Sequence, residues 1–188
     1  MKFIFDFDDV IHNSTTHHKE LFLVLEKYGI PRPEIENYYK KNRTLGFSLR
    51  SMLDYFVTLG RIDASKKKSL YDEDMGDRKK FLNEELIELI KKLGKYNCYL
   101  VTYGNQEYQQ EKIDRTEVAS LFSGINIVQG SKKEAIERIC EKHKDEKVIF
   151  IDDKAHHFEG LDFKKYPNLK TILYDEQGLN KLKAEING

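Results

Sequence analysis

The stretch Phe3-Ile4-Phe5-Asp6-Phe7-Asp8-Asp9 runs from apolar residues straight into acids. Residues i and i+2 of an extended chain project to the same side, so Asp6 and Asp8 can face one reacting centre while Asp9 points elsewhere. Two more acids, Asp152 and Asp153, end the run Val148-Ile149-Phe150-Ile151, and Thr102 ends Tyr99-Leu100-Val101 ahead of Tyr103-Gly104-Asn105. A lysine, Lys132 or Lys133, heads the segment that contains Ala135, Ile139 and Cys140. Like charges 4 Å apart repel by about 4 kcal/mol at an effective dielectric near 20, so such a cluster either keeps protons or gathers around a cation. Mg²⁺ suits oxygen donors and retains several waters. One carboxylate can then attack phosphorus while a second handles a proton, with metal and lysine offsetting the charge of a phosphate dianion. Taken singly, each residue has a structural reading: the Asp pair as turn or helix-cap residues, the Thr as an ordinary strand residue. Their order and their place at the ends of apolar runs make them a set.

The elements that must position them are legible as periodicities. Apolar or β-branched runs at residues 2–5, 99–101, 125–128, 147–151 and 170–174 read as strands, and helical patterns lie between them. Continuous apolar runs suit parallel strands buried on both faces. In an open parallel sheet ligands bind beyond the carboxyl ends of the strands, which is where Asp6, Asp8, Thr102, Asp152 and Asp153 fall. Leu86, Leu89, Ile90 and Leu93 mark a helix ended by Gly94, and Ser131 is the expected N-cap of the helix that follows. Residues 14–80 hold no strand pattern. Leu21, Leu25 and Tyr28 form one stripe before Gly29, and Leu49, Leu53, Phe56 and Val57 another before Gly60, with Pro31 and Pro33 between. This reads as a helical insertion after the first strand.

Composition narrows the partners. Lys plus Arg and Asp plus Glu both number 32, so no basic footprint recommends nucleic acid or an anionic membrane. The two cysteines fall in apolar patterns and read as inert core thiols rather than a disulfide framework. No apolar run approaches a membrane span, and the acidic opening does not suit a signal peptide, so a cytoplasmic location is expected. His12, His17, His18, His156 and His157 read as exposed or interface residues rather than a metal site. Arg43, Phe47 and Arg50 could reach a substrate from the insertion, with solvated roles the commoner alternative.

The four motifs, in this order, resemble those of the haloacid dehalogenase superfamily, mostly phosphatases and phosphotransferases. Its Asp-x-Asp-x-Thr/Val is met by Asp6 to Val10, its strand ending in Thr by residues 99–102, its helix-heading lysine best by Lys132, and its strand ending in two acids by residues 148–153. The insertion is similar to the helical cap of β-phosphoglucomutase-like members. The resemblance implies a Rossmann-like parallel α/β sheet flanked by helices, with core residues 1–13 and 81–188 and an α-helical cap at 14–80. It implies Asp6 as nucleophile and Asp8 as general acid and base. Thr102 and Lys132 would hold the phosphoryl group, with Tyr103 and Gly104 shaping the loop beside it. Asp6, the Asp8 carbonyl and Asp153 would bind Mg²⁺, with Asp152 alongside. The implied activity is hydrolysis of a small phosphorylated metabolite; a phosphomutase or a silent binding protein on the same fold are the alternatives. A dehalogenase has no need of Asp8, and a phosphoacceptor signalling domain would carry its acid pair first rather than last. Asp9 stands where many members have Gly, His157 where an acid is common, and Lys154 beside the metal-binding acids has no counterpart in the pattern.

Overall fold

The computed structural model describes residues 1–187. Five parallel strands form one sheet. At its centre β1 (Lys2–Phe5) pairs with β2 (Cys98–Tyr103) and β4 (Val148–Asp152), while β3 (Gly124–Val128) and β5 (Leu169–Leu173) form the edges. The apolar runs locate these strands to within two residues. The largest difference is in β2, which continues through Thr102 and Tyr103 because the neighbouring β3 supplies partners there, Ile127 and Val128.

Eight helices complete the order. After β1 come α1 (Ser14–Lys27), α2 (Arg32–Asn42), α3 (Leu49–Thr58), α4 (Lys67–Met75) and α5 (Glu84–Leu93). Then α6 (Gln106–Thr116) follows β2, α7 (Lys133–Lys142) follows β3 and α8 (Gly178–Asn187) follows β5. Alternate strand residues face opposite sides, and each side has its own core. Phe3, Phe5, Cys98, Leu100, Ile149 and Ile151 pack against α5, α6 and α8, whereas Ile4, Tyr99, Val101 and Phe150 pack against α7. Cys98 and Cys140 are buried on opposite faces, and burial pushes their thiols up to about 12 and about 11, which fits inert core residues.

Helices α1 to α4 surround a separate apolar cluster. In α3 the buried Leu49, Met52, Leu53 and Phe56 keep one stripe toward it. Tyr108 of α6 joins the same cluster, tying the helical layer to the sheet layer. The chain crosses between the layers twice, and the crossings lie side by side: Asn13 N–H donates to the Phe81 carbonyl and Asn83 N–H to that of Ile11, both at 2.8 Å. Asn13 and Asn83 also cap α1 and α5, their side chains accepting from Thr16 N–H and Leu86 N–H.

Two local features depart from the sequence reading. Asp9 occupies the left-handed region, φ 58°, as a glycine would. Its carboxylate takes the Thr15 N–H at 2.8 Å and the Thr15 hydroxyl at 3.0 Å, so a short polar side chain fixes the turn leading into α1. At the start of α7 the N-cap position belongs to Lys132 rather than Ser131, whose hydroxyl instead accepts from Lys133 N–H at 3.1 Å.

Candidate active site

The carboxyl ends of β1, β2 and β4 deliver Asp6, Thr102 and Asp152 to one edge of the sheet, because these three strands are neighbours in register. All three residues are buried. Lys132 turns inward and bridges two of them, its Nζ 2.7 Å from Asp6 Oδ1 and 2.7 Å from Asp152 Oδ2. Lys133 is largely solvent-facing and pairs with Glu137, which separates the two lysines that sequence leaves open.

Asp6 Oδ1 also accepts the Phe7 N–H at 2.7 Å, so both hydrogen bonds fall on one oxygen and leave Oδ2 as the oxygen able to attack. Burial raises the Asp6 pKa against the pull of Lys132, and Asp152 and Asp8 add to the rise. Asp152 behaves oppositely. Burial alone would raise its pKa, but His157 and Lys132 outweigh that and hold it below the usual carboxylate range. His157 Nδ1–H donates to Asp152 Oδ2 at 2.8 Å, and Lys154 N–H to Oδ1 at 2.9 Å. The histidine that stands at the position of a common family acid is therefore a direct partner of Asp152.

Asp8 is half-buried and held from two layers. Gln109 Nε2–H donates to its Oδ2 at 2.6 Å, and Oδ1 receives Lys112 Nζ of α6 and the hydroxyl of Ser14 at the start of α1. Burial opposes the charge, yet Lys112, Gln109 and Ser14 together keep the carboxyl well below its ordinary range. Since Ser14 donates to Asp8, the 2.8 Å contact between Ser14 Oγ and His12 Nδ1 places the His12 proton on Nδ1. Asp153 is half-buried, pairs with Lys154 at 3.1 Å, and has its pKa raised by burial.

Thr102, like Gln109 at Oε1 and His12 at Nε2, keeps a polar atom outside the hydrogen bonds of the described residues. Its Oγ1 is buried without a hydrogen-bond partner among the described residues. A buried hydroxyl left unpaired costs about 1–3 kcal/mol, so its partner is expected to be something the protein binds. Next to it, Gly104 has φ 150°, and a Cβ there would meet Gln109 Nε2 at 2.8 Å; the glycine lets Gln109 lie across the loop to reach Asp8 and the Tyr103 carbonyl.

Between sheet and helical layer lies a cavity of about 690 Å³, within the size range of small-molecule sites; Thr102, Asp152 and Asp153 stand behind its lining rather than in it. Asp6, Asp8, Tyr103, Gly104 and Lys132 line it, as do Arg43 and Phe47; Arg50 does not, and instead pairs with Glu107 and Glu111 and stacks on Tyr71. One ligand atom each from Asp6, Asp152 and His157 lies within 4.8 Å of the others, a grouping that could hold a metal ion. Asp8 and Asp153 lie outside that cluster, their carboxylates committed to Lys112 and Lys154. The carboxylate oxygens suit a hard cation such as Mg²⁺, and burial raises the Asp6 pKa despite Lys132, with Asp152 and Asp8 adding smaller contributions. Sequence reading missed Ser14, Gln109 and Lys112. Their trace was present: Gln109, Lys112 and Thr116 share the helix face of Ile113, and polar residues on an inward face call for a partner.

The model of the family described as haloacid dehalogenase-like hydrolase matches residues 3–161. A comparison with curated protein sequences returned no significant match. Among solved structures, a haloacid dehalogenase-like hydrolase of Burkholderia xenovorans aligns over 94% of this chain and 86% of its own, with TM-score 0.72 and 15% identity. The candidate hydrolase YfnB of Bacillus subtilis, determined bound to magnesium, aligns over 100% and 98% with TM-score 0.58 and 17% identity. A candidate β-phosphoglucomutase of Thermotoga maritima aligns over 96% and 91% with TM-score 0.55 and 22% identity. With the family model spanning most of the chain and the strand-end acids gathered at one sheet edge, this protein belongs to the haloacid dehalogenase-like hydrolases.

Proposed function

We propose that this protein is a Mg²⁺-dependent phosphomonoester hydrolase that works through an aspartyl-phosphate on a small phosphorylated metabolite. The observation that carries the reading is Asp6, which ends β1 against the cavity with Lys132 bridging it to Asp152; the buried hydroxyl of Thr102 stands one strand away, where a phosphoryl oxygen would satisfy it. Asp6 Oδ2 attacks phosphorus, and the bond to the leaving oxygen breaks as Asp8, ionised at rest beside Lys112 and protonated by the incoming monoester monoanion before attack, gives that oxygen a proton. Asp8, now a carboxylate, takes a proton from the water that cleaves the aspartyl-phosphate, restoring Asp6. Lys132, between Asp6 and Asp152, holds the nucleophile and offsets the incoming charge. Asp6 and Asp152 would hold Mg²⁺, with Asp153 and the Asp8 carbonyl as further oxygen donors. When bound, the metal supplies Lewis-acid stabilisation of the phosphoryl oxygens. The magnesium bound by the Bacillus subtilis relative supports this choice of metal. The helical layer acts as a cap that excludes bulk water, with residues 12–14 and 77–83 as its hinge.

The test is release of para-nitrophenol from its phosphate with Mg²⁺ and then with EDTA, alongside acid-quench capture of the acyl-phosphate. Activity that requires the metal is expected, and Asp6→Asn should lower turnover at least a thousandfold and abolish the trapped species. Undiminished turnover by pure Asp6→Asn protein sinks the nucleophile assignment.

A further inference from the structure

The walls of the cavity speak to what is esterified to the phosphate. Three half-buried rings line it beside the acid floor: His18 of α1, Tyr39 of α2 and Tyr103 at the end of β2. Two buried rings brace them. Phe47 meets Tyr39 edge-on with centroids 5.3 Å apart, His18 at 5.7 Å and Tyr108 at 5.4 Å. His18 and Tyr39 themselves lie 4.7 Å apart.

The polar ends of these rings are already engaged by the protein. The Tyr39 hydroxyl meets His18 Nδ1 at 3.1 Å, and the Tyr103 hydroxyl donates to the Thr44 carbonyl at 2.6 Å across the gap between sheet and helical layer. Burial keeps His18 neutral. What remains for a ligand is ring surface, held in place before anything binds. A polyhydroxylated sugar would ask for a different wall, because vicinal hydroxyls are read by acceptors such as carboxylates and by carboxamides, which accept and donate together. The carboxylates and the carboxamide that line the cavity, Asp6, Asp8, Asp9, Gln109 and Glu159, lie outside the first four helices and the connections between them, and the ring-bearing wall offers none among the described residues.

We infer that the leaving alcohol of the substrate carries a flat aromatic or heteroaromatic ring, seated against His18, Tyr39 and Tyr103 while the phosphoryl group meets Asp6. This rests on the phosphohydrolase reading above and narrows it to ring-bearing monoesters. A stacked base or aryl ring gains from any aromatic face without hydrogen-bond readout, which is what this wall offers.

Calorimetric binding to the Asp6→Asn protein with Mg²⁺ tests the inference without turnover. The ligands are AMP and UMP against ribose 5-phosphate, and phenyl phosphate against glycerol phosphate, with inorganic phosphate as reference. Ring-bearing esters should bind at least tenfold more tightly than their ring-free counterparts. Preference confined to AMP and UMP assigns a nucleobase, and preference shared by phenyl phosphate assigns any aryl ring. Adding Tyr39→Leu should erase the difference while leaving inorganic phosphate unchanged, and Tyr39→Phe should retain it. Equal affinity for AMP, UMP and ribose 5-phosphate, and for the phenyl and glycerol esters, overturns the inference and leaves the hydrolase reading standing. If inorganic phosphate and every ester fail to bind, both fall.

Discussion

Thr102 and Lys112 show at the level of single residues how the site trades stability for chemistry. Replacing Thr102 by Val removes a buried hydroxyl that has no partner, so the free protein should gain roughly 1 kcal/mol in denaturant unfolding. Activity on para-nitrophenyl phosphate should fall at least tenfold in the same variant. A loss of stability would mean that the hydroxyl is satisfied in the free protein. Lys112 is buried and paired with Asp8, and Lys112→Met should cost about 3 kcal/mol at neutral pH because it strands a carboxylate. In wild type the Asp8 pKa lies below its unfolded value, so its contribution is present above about pH 4 and fades as pH falls. Without Lys112 only Gln109 and Ser14 oppose burial, so that pKa should rise and the variant should lose less stability on acidification through Asp8. Titration of the Asp8 carboxyl carbon by NMR in both proteins decides this, and an unchanged pKa would contradict it.

Between elements, the helical layer comes close to the backbone of the sheet layer at Gly46. It has φ 89°, and a Cβ there would stand 2.9 Å from the Asn105 backbone nitrogen, beside the loop that carries Gly104. Gly29 makes the matching control, since it has φ 86° but open space around its missing Cβ. Both alanine variants should lose about 1 kcal/mol from backbone strain. Only Gly46→Ala should also lower kcat/KM for para-nitrophenyl phosphate, by tenfold or more, because it forces the layers apart at the rim of the cavity. Equal kinetics in the two variants would show that this contact does not govern closure.

For the whole molecule, acid sensitivity should come from histidines along the seam between the layers. Burial holds His12 down to about 2 and His18 down to about 3, and lowers His17 despite its 2.9 Å contact with Asp74. The unfolded chain protonates each near pH 6.5 while the folded chain does not, so stability is present above that pH and falls below it, by up to about 1.4 kcal/mol per unit for each group. Asp6 and Asp153, whose pKa values are raised, act in the opposite direction and offset part of the slope. The urea midpoint should therefore be lower at pH 5.5 than at pH 7.5, with His18→Phe flattening the difference by about one proton. A midpoint that rises on acidification would reverse the assignment.

The sequence by itself determined the elements and the acids that end them, because both are local. An apolar run in a fully covered sheet must be continuous, and Asp6, Thr102 and Asp152 follow such runs directly. The helical segment was legible from the stripe at Leu49, Leu53 and Phe56. Partnerships were decided only by the tertiary structure. Lys112 is 104 residues from Asp8, and Gln109 is 101. Nothing in QEYQQEKIDRT says which strand its inward face will meet. The choice between Lys132 and Lys133 turned on one helical step, which carries the first into the acids and the second toward solvent. The pKa values of Asp6 and Asp8 part company for the same reason: charge and burial act through space, and the distances that set them exist only once the layers have packed.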